Sequence, residues 1–331
     1  QAGKRGRCCS AIAINMSATS INKSGPGIFT FSHFHIFTFS NHQISPPLLK
    51  ENFIIFKLHM RNISKVSPFL FCLLMLLHSC VSNNKQDDTA SINAVPRLSY
   101  KLVNTYPHDT SAFTEGVAWY KGKLYESTGS PDNMPHTKSY FGVVDIKSGV
   151  VKNKIELDRK IFFGEGIAII NDTVFQLTYK NRKGFLYNVN TLQKTGEFSY
   201  NNKEGWGLTT DGKSLIMSDG TDMITWIDPH SFKVEKALRV SENGNAVSNL
   251  NELEYINGYI FANVYTTNTI VKINAETGEI IGKLDLWNID KMARDEYPKA
   301  LHMNGIAYDS TTNKLLVTGK MWPKYFELEL L

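Results

Sequence analysis

From Leu98 onward a single strand-turn-strand unit recurs. It reads Glu115-Gly-Val-Ala-Trp-Tyr-Lys-Gly-Lys-Leu-Tyr, then Glu165-Gly-Ile-Ala-Ile-Ile-Asn-Asp-Thr-Val-Phe, Trp206-Gly-Leu-Thr-Thr-Asp-Gly-Lys-Ser-Leu-Ile, Asn251-Glu-Leu-Glu-Tyr-Ile-Asn-Gly-Tyr-Ile-Phe and Asn304-Gly-Ile-Ala-Tyr-Asp. Gly122, Asp172, Gly212 and Gly258 fall between the two β-rich runs, where a hairpin needs residues tolerant of positive φ. A second hairpin follows in most copies, turning at Ser148-Gly149, near Thr195-Gly196, at Asp228-Pro229-His230 and at Thr277-Gly278. Four strands every ~45 residues are the pattern of a propeller blade. The expected fold is all-β, a five-bladed β-propeller over residues 98–331. The last unit leaves no room for a fourth strand. The run from Leu98 to Thr105 is expected to fill that place and close the ring, so that no sheet edge is left ragged. One helical insert is expected over Trp287–Tyr297, between the fourth and fifth units.

The residues before this body differ from it in kind. Residues 1–80 carry eight of the 36 Lys/Arg and one of the 31 Asp/Glu, which leaves 28 basic and 30 acidic side chains in residues 81–331. A nucleic-acid partner is therefore not expected, because the body has no basic excess to displace counterions. All four cysteines (Cys8, Cys9, Cys72 and Cys80) precede residue 81, so the body holds no disulfide, no thiolate nucleophile and no cysteine-zinc site. Its four histidines, His108, His136, His230 and His302, form no close pair.

Met60-Arg61-Asn62-Ile63-Ser64-Lys65 and the apolar run from Val66 to Leu77 read as a secretory leader, too short to span a bilayer. Leu77-His78-Ser79-Cys80 resembles a bacterial lipobox, which implies lipidation of Cys80 and anchorage to a membrane surface without spanning it. The expected organisation is a non-native upstream extension over 1–59, a signal peptide with lipobox over 60–80, a linker over 81–97 and the propeller over 98–331. Localisation would be the bacterial cell envelope.

The first strand of a blade lines the central channel. Glu115, Glu165, Trp206, Asn251 and Asn304 then share one ring near one mouth: two carboxyls, two amides and an indole. A wet channel alone would favour polar residues there. A carboxylate-and-amide set of this kind (Glu115, Asn251 and Asn304) would also suit an axial calcium ion in a propeller hydrolase. A non-catalytic propeller that binds a protein partner is a further alternative, because the fold hosts many functions.

Six ordered motifs carry a closer resemblance: Tyr106-Pro107-His108-Asp109-Thr110-Ser111-Ala112-Phe113-Thr114-Glu115-Gly116, Phe163-Gly164-Glu165-Gly166, Glu204-Gly205-Trp206-Gly207-Leu208-Thr209, Leu250-Asn251-Glu252-Leu253-Glu254, Asn304-Gly305-Ile306-Ala307-Tyr308-Asp309 and Thr318-Gly319-Lys320-Met321-Trp322-Pro323. Together they resemble the plant and bacterial type of glutaminyl-peptide cyclotransferase. The resemblance implies the five-bladed propeller and conversion of N-terminal glutamine of a peptide or protein to pyroglutamate, with release of ammonia and without metal or cofactor. It also implies catalytic roles for Glu165 as proton relay and for Asn251 and Lys320 as poles for the γ-carbonyl. Phe113, Phe163, Trp206 and Trp322 would form aromatic walls, with Tyr179 and Tyr265 standing where the family often has tryptophan. Glu115 departs from the glutamine of the plant pattern and would bind the α-amine or line the ring. Asn304 is expected on the substrate, and Glu254 behind the site. The segment Ser130–Ser139 departs from the tight family loop and is expected over one mouth. A ring that closes on itself needs no partner, so a monomer is expected.

Overall fold

The computed structural model describes residues 94–331, together with β1 (Ala13–Ile14) and β2 (Ile36–Phe37), which pair antiparallel with each other. The leader, Cys80 and the linker as far as residue 93 lie outside the described residues.

The body is five four-stranded antiparallel sheets. β3 (Tyr100–Pro107) comes first in the chain. The first blade is β4 (Phe113–Tyr120), β5 (Lys123–Gly129), β6 (Tyr140–Asp145) and β7 (Val150–Glu156). The second is β8 (Gly164–Ile170), β9 (Thr173–Thr178), β10 (Lys183–Asn188) and β11 (Lys194–Ser199). The third is β12 (Leu208–Thr210), β13 (Leu215–Ser218), β14 (Met223–Ile227) and β15 (Val234–Arg239). A small hairpin, β16 (Ser241–Glu242) and β17 (Asn245–Ala246), leads to the fourth blade: β18 (Leu250–Ile256), β19 (Tyr259–Val264), β20 (Thr269–Asn274) and β21 (Ile280–Asp285). Helix α1 (Trp287–Glu296) precedes the fifth: β22 (Met303–Asp309), β23 (Lys314–Gly319) and β24 (Lys324–Leu330). β3 pairs antiparallel with β24 as the fourth strand of that sheet, with Lys324 opposite Pro107 and Leu330 opposite Tyr100.

The chain is already anchored before β3. Leu98 donates its N–H to the Lys283 carbonyl at 2.8 Å, and Lys283 donates to Pro96 at 2.9 Å. The expected linker therefore ends earlier than residue 97, because Pro96 and Arg97 lie along β21.

The hydrophobic core is distributed rather than central. Five apolar clusters form, each between two neighbouring blades; Tyr125 and Phe141 of the first blade, for example, pack with Ile167 and Tyr187 of the second. Both faces of each sheet are thereby covered, and dewetting of these faces drives assembly of the ring. The axis is left free for polar side chains.

The inner strands come into close contact there. A Cβ on Gly116 would meet Gly166 Cα at 2.8 Å, and one on Gly166 would meet the Leu208 nitrogen at 2.4 Å. One on Gly207 would meet the Asn251 carbonyl oxygen at 2.0 Å. The glycine that follows the first residue of the unit is therefore a requirement of backbone-to-backbone approach.

Candidate active site

The residues that open the units sit where pairing is irregular. The register shifts between Thr114 and Gly116, between Gly164 and Ile167, between Leu250 and Leu253, and between Met303 and Ile306. Glu115, Glu165, Asn251 and Asn304 fall within these bulges. A bulge bends its strand and re-aims a side chain, and here the re-aimed side chains belong to the axis.

Polar residues on the second strands hold the bulges across blade boundaries. Ser127 donates to the Glu165 carbonyl at 2.5 Å and receives Gln176 Nε2 at 2.9 Å. Ser218 donates to the Asn251 carbonyl at 2.6 Å while accepting the Gly207 N–H at 2.8 Å. Asn263 Oδ1 accepts the Gly305 N–H at 3.0 Å. These residues were not singled out in the sequence. The partial signal in the sequence was a polar residue twelve positions after the opening residue in three of the units, Ser127, Ser218 and Asn263, with Leu177 at that place in the second.

At one end of the axis lies a cavity of about 180 Å³. Its lining includes Glu115, Glu165, Asn251 and Lys320, all buried, beneath the rings of Phe113, Phe163, Tyr179, Trp206 and Tyr265. Phe113 and Phe163 meet edge to face at 6.0 Å, and Phe163 meets Tyr179 at 5.8 Å. Across from them Trp206 and Tyr265 meet edge to face at 5.6 Å. The Trp206 indole donates to Glu204 Oε2 at 2.9 Å, which fixes its plane. Pro131 lines the cavity too, so the segment after Gly129 does reach it. Arg159 holds that segment by donating to the carbonyls of Pro131 at 2.9 Å and Pro135 at 3.1 Å.

The charged floor is compact. Lys320 Nζ forms an ion pair with Glu115 Oε2 and lies 4.5 Å from the centre of the Phe113 ring. Asn304 Nδ2 donates to the same Glu115 oxygen at 3.1 Å and to the Thr114 carbonyl at 3.2 Å. Glu165 hydrogen-bonds Glu115. Burial raises the Glu115 carboxyl, and Lys320 pulls it back down. Burial and the neighbouring Glu115 charge push Glu165 well above the usual carboxylate range. Of the two, Glu165 is pushed further toward its protonated form. Asn251 Oδ1 is buried without a hydrogen-bond partner. Among the described residues no group of three or more His, Cys, Asp or Glu could hold a metal ion. Of the trio considered for calcium, Glu115 already pairs one carboxylate oxygen with the Lys320 ammonium.

Two residues expected on the wall or the substrate, Trp322 and Asn304, lie off the lining; Glu254 is expected behind it. Trp322 does not line the cavity. Its ring packs over Gly319, where an added Cβ would lie 2.4 Å from the indole nitrogen; it meets Phe326 edge to face and donates to the Leu301 carbonyl at 3.0 Å. It belongs to the apolar cluster between the fourth and fifth blades, and its work is to shape the turn that carries Lys320. Asn304 is likewise off the lining and acts on Glu115. Glu254 accepts the Tyr308 N–H at 2.8 Å and the Thr209 hydroxyl at 3.3 Å, and it is not part of the cavity lining either.

Lys320 is positioned from outside the ring. Its N–H donates to the His302 carbonyl and its carbonyl accepts the Leu301 N–H, both at 2.9 Å. Arg294 of α1 clamps that segment through the carbonyls of Ala300 at 2.7 Å and Leu301 at 2.6 Å.

The family model described as glutamine cyclotransferase matches residues 71–330. A protein of Arabidopsis thaliana named glutaminyl-peptide cyclotransferase is 36% identical over 249 residues, covering 74% of this chain and 76% of that protein. The crystal structure of Myxococcus xanthus glutaminyl cyclase superimposes with a TM-score of 0.65 at 30% identity, covering 71% of this chain and 98% of the other. Through the family match and this full-body likeness, the chain belongs to the glutamine cyclotransferase family.

Proposed function

We propose that the chain is a glutaminyl-peptide cyclotransferase that closes N-terminal glutamine to pyroglutamate by acid–base catalysis at Glu165. Family membership supports the glutamine cyclisation. The observation that carries the mechanism is geometric: the Glu165 carboxyl is buried beside Glu115 and under aromatic rings in a small cavity, where burial and the Glu115 charge favour its protonated form. The cavity is well below the roughly 300–1,000 Å³ of pockets for drug-sized ligands and suits the end of a chain.

The reaction needs little more than placement and proton movement, because amine and amide belong to one residue. The rings hold the aliphatic stem and exclude water. The neutral α-amine attacks the side-chain amide carbon Cδ, the carbonyl electrons move to oxygen, and Asn251 Nδ2 and Lys320 Nζ face the developing charge. Glu165 gives its proton to the departing amide nitrogen, ammonia leaves, and Glu165 recovers a proton from the ring nitrogen. No metal ion enters these steps. A protein-binding platform has no use for two carboxyls and a lysine inside a cavity. The function test is to incubate the protein, with chelator present, with a peptide that begins with glutamine. Loss of the mass of ammonia from that peptide is expected; an unchanged peptide beside a well-folded protein contradicts the reading.

We read the enzyme as a monomer acting at a bacterial cell envelope, tethered by lipid on Cys80. The leader and the Leu77-His78-Ser79-Cys80 sequence support this. Cys80→Ser is expected to release the protein from the membrane fraction.

A further inference from the structure

We propose that His108 is a positioning residue for the reaction: its imidazole, aimed by the buried Glu126 carboxyl, holds the Trp322 carbonyl and so fixes the turn that places Lys320 on the cavity floor. This rests on the cyclotransferase reading and on the part of Lys320 in it.

His108 follows β3, the strand that closes the ring. The closure itself is made by backbone pairing of β3 with β24. The imidazole reaches beyond that pairing. Its side chain and that of Glu126, on β5, are both fully buried. Nδ1 lies 2.8 Å from the Trp322 carbonyl oxygen and 3.3 Å from the Thr318 hydroxyl oxygen. A carbonyl oxygen only accepts, and the Thr318 hydroxyl gives its own hydrogen to the Lys324 carbonyl at 3.0 Å. Nδ1 therefore carries a hydrogen and donates it to the turn. Nε2 lies 2.9 Å from Glu126 Oε1. Glu126 is held in its turn, accepting the Thr114 hydroxyl on Oε1 at 2.7 Å and the Tyr325 hydroxyl on Oε2 at 3.0 Å. The Tyr325 ring packs on the imidazole with centres 4.4 Å apart. The imidazole is thus locked with Nδ1 toward the turn.

The turn needs such a hold. Lys320 is followed by Met321 at φ 60°, a left-handed conformation that a residue other than glycine keeps only where its surroundings impose it. Leu301 and His302 bind the Lys320 backbone on one side. On the other, the Ala112 carbonyl accepts the Met321 N–H at 2.7 Å, and the His108 N–H donates to the Pro323 carbonyl at 2.9 Å. The imidazole adds the Trp322 carbonyl between these two. The same cluster grips the strand of Glu115 through Thr114, so the partners of the Lys320–Glu115 ion pair are set against each other from beneath. None of the rings that line the cavity comes from this turn. A slack turn would therefore move the Lys320 ammonium off the developing charge and leave the grip on the glutamine stem in place. The loss belongs to kcat, because a small misplacement of a group that acts on the transition state is costly in rate.

Two conservative variants of the full chain separate positioning from packing. Asparagine sets its amide nitrogen near the place of Nδ1, and glutamine sets its own near that of Nε2. Each keeps one of the two hydrogen bonds and loses the other, and a similar fall in Tm is expected for both. His108→Asn is expected to keep kcat for a glutamine-initiated peptide within about threefold of wild type, whereas His108→Gln loses on the order of 10- to 100-fold with KM within about twofold. A His108→Gln variant that turns over as fast as His108→Asn, or a loss of kcat that follows Tm across the pair, overturns the proposal. The second measurement needs neither a variant nor turnover. NMR of the His108 ring nitrogens in wild type is expected to show Nδ1 carrying a hydrogen that exchanges slowly with water; a bare Nδ1 overturns the proposal. Absence of pyroglutamate from the wild-type reaction would instead overturn the cyclotransferase reading, on which the ring spectrum does not depend.

Discussion

The carboxylate of Glu252 accepts the backbone N–H of Ile306 at 2.7 Å. It also accepts the Val117 N–H at 3.1 Å, so one side chain on the fourth inner strand ties the first and fifth inner strands together. In the other four units a glycine occupies this position. Where the glycines permit backbones to touch, Glu252 fills the remaining gap with two hydrogen bonds. Glu252→Ala would orphan both N–H groups in a buried place, at about 1–3 kcal/mol for each. Glu252→Gln keeps one acceptor and is expected to cost less. Urea unfolding of the two variants measures the difference. Equal stability of Glu252→Ala and wild type would remove this residue from the ring's construction.

Glu254 provides a pH signature. Burial pushes its carboxyl up to about 8, against smaller opposing effects of the Tyr308 N–H and the Thr209 hydroxyl. A carboxyl raised in the folded state contributes stability while protonated in both states, and that contribution is lost as pH rises through the folded value. Wild-type Tm is therefore expected to decline between about pH 5 and 9 more steeply than that of Glu254→Gln. Parallel Tm profiles would show that Glu254 does not titrate in this range.

Two tryptophans separate wall from core. Trp206 is half-buried on the cavity lining, whereas Trp322 is fully buried away from it. Trp206→Ala is expected to raise KM with little change in Tm. Trp322→Ala is expected to cost about 3–5 kcal/mol of stability and to lower kcat through the displaced turn that carries Lys320. Denaturant unfolding together with steady-state kinetics checks both. A Trp322 variant of wild-type stability with a raised KM alone would restore it to the wall.

The repeat revealed the fold because each unit had to make its own hairpins, and hairpin turns leave Gly, Asn and Asp in the sequence. Glu115, Glu165 and Asn251 were legible because they open the units. Lys320 came from the resemblance, being in a turn with no counterpart in the other units. Trp322 was misplaced because Thr318-Gly319-Lys320-Met321-Trp322 does not say which ring faces the cavity; that depends on Gly319 making room for the indole and on Leu301 receiving its N–H. Asn304 was assigned to substrate because its ring position was visible and its bond to Glu115 was not. The roles of Ser127, Ser218 and Asn263 depend on contacts between blades, and a single unit's pattern cannot show these.

The central claim is that Glu165 is the proton-carrying acid of a cyclising enzyme. The direct measurement is kcat for pyroglutamate formation from a glutamine-initiated peptide by wild type and by Glu165→Gln, with Tm recorded for both. The amide keeps the size of the side chain but carries no transferable acid proton. A fall in kcat of about 10²–10⁴-fold at near-equal Tm is the predicted result. A folded Glu165→Gln that turns over like wild type would contradict it.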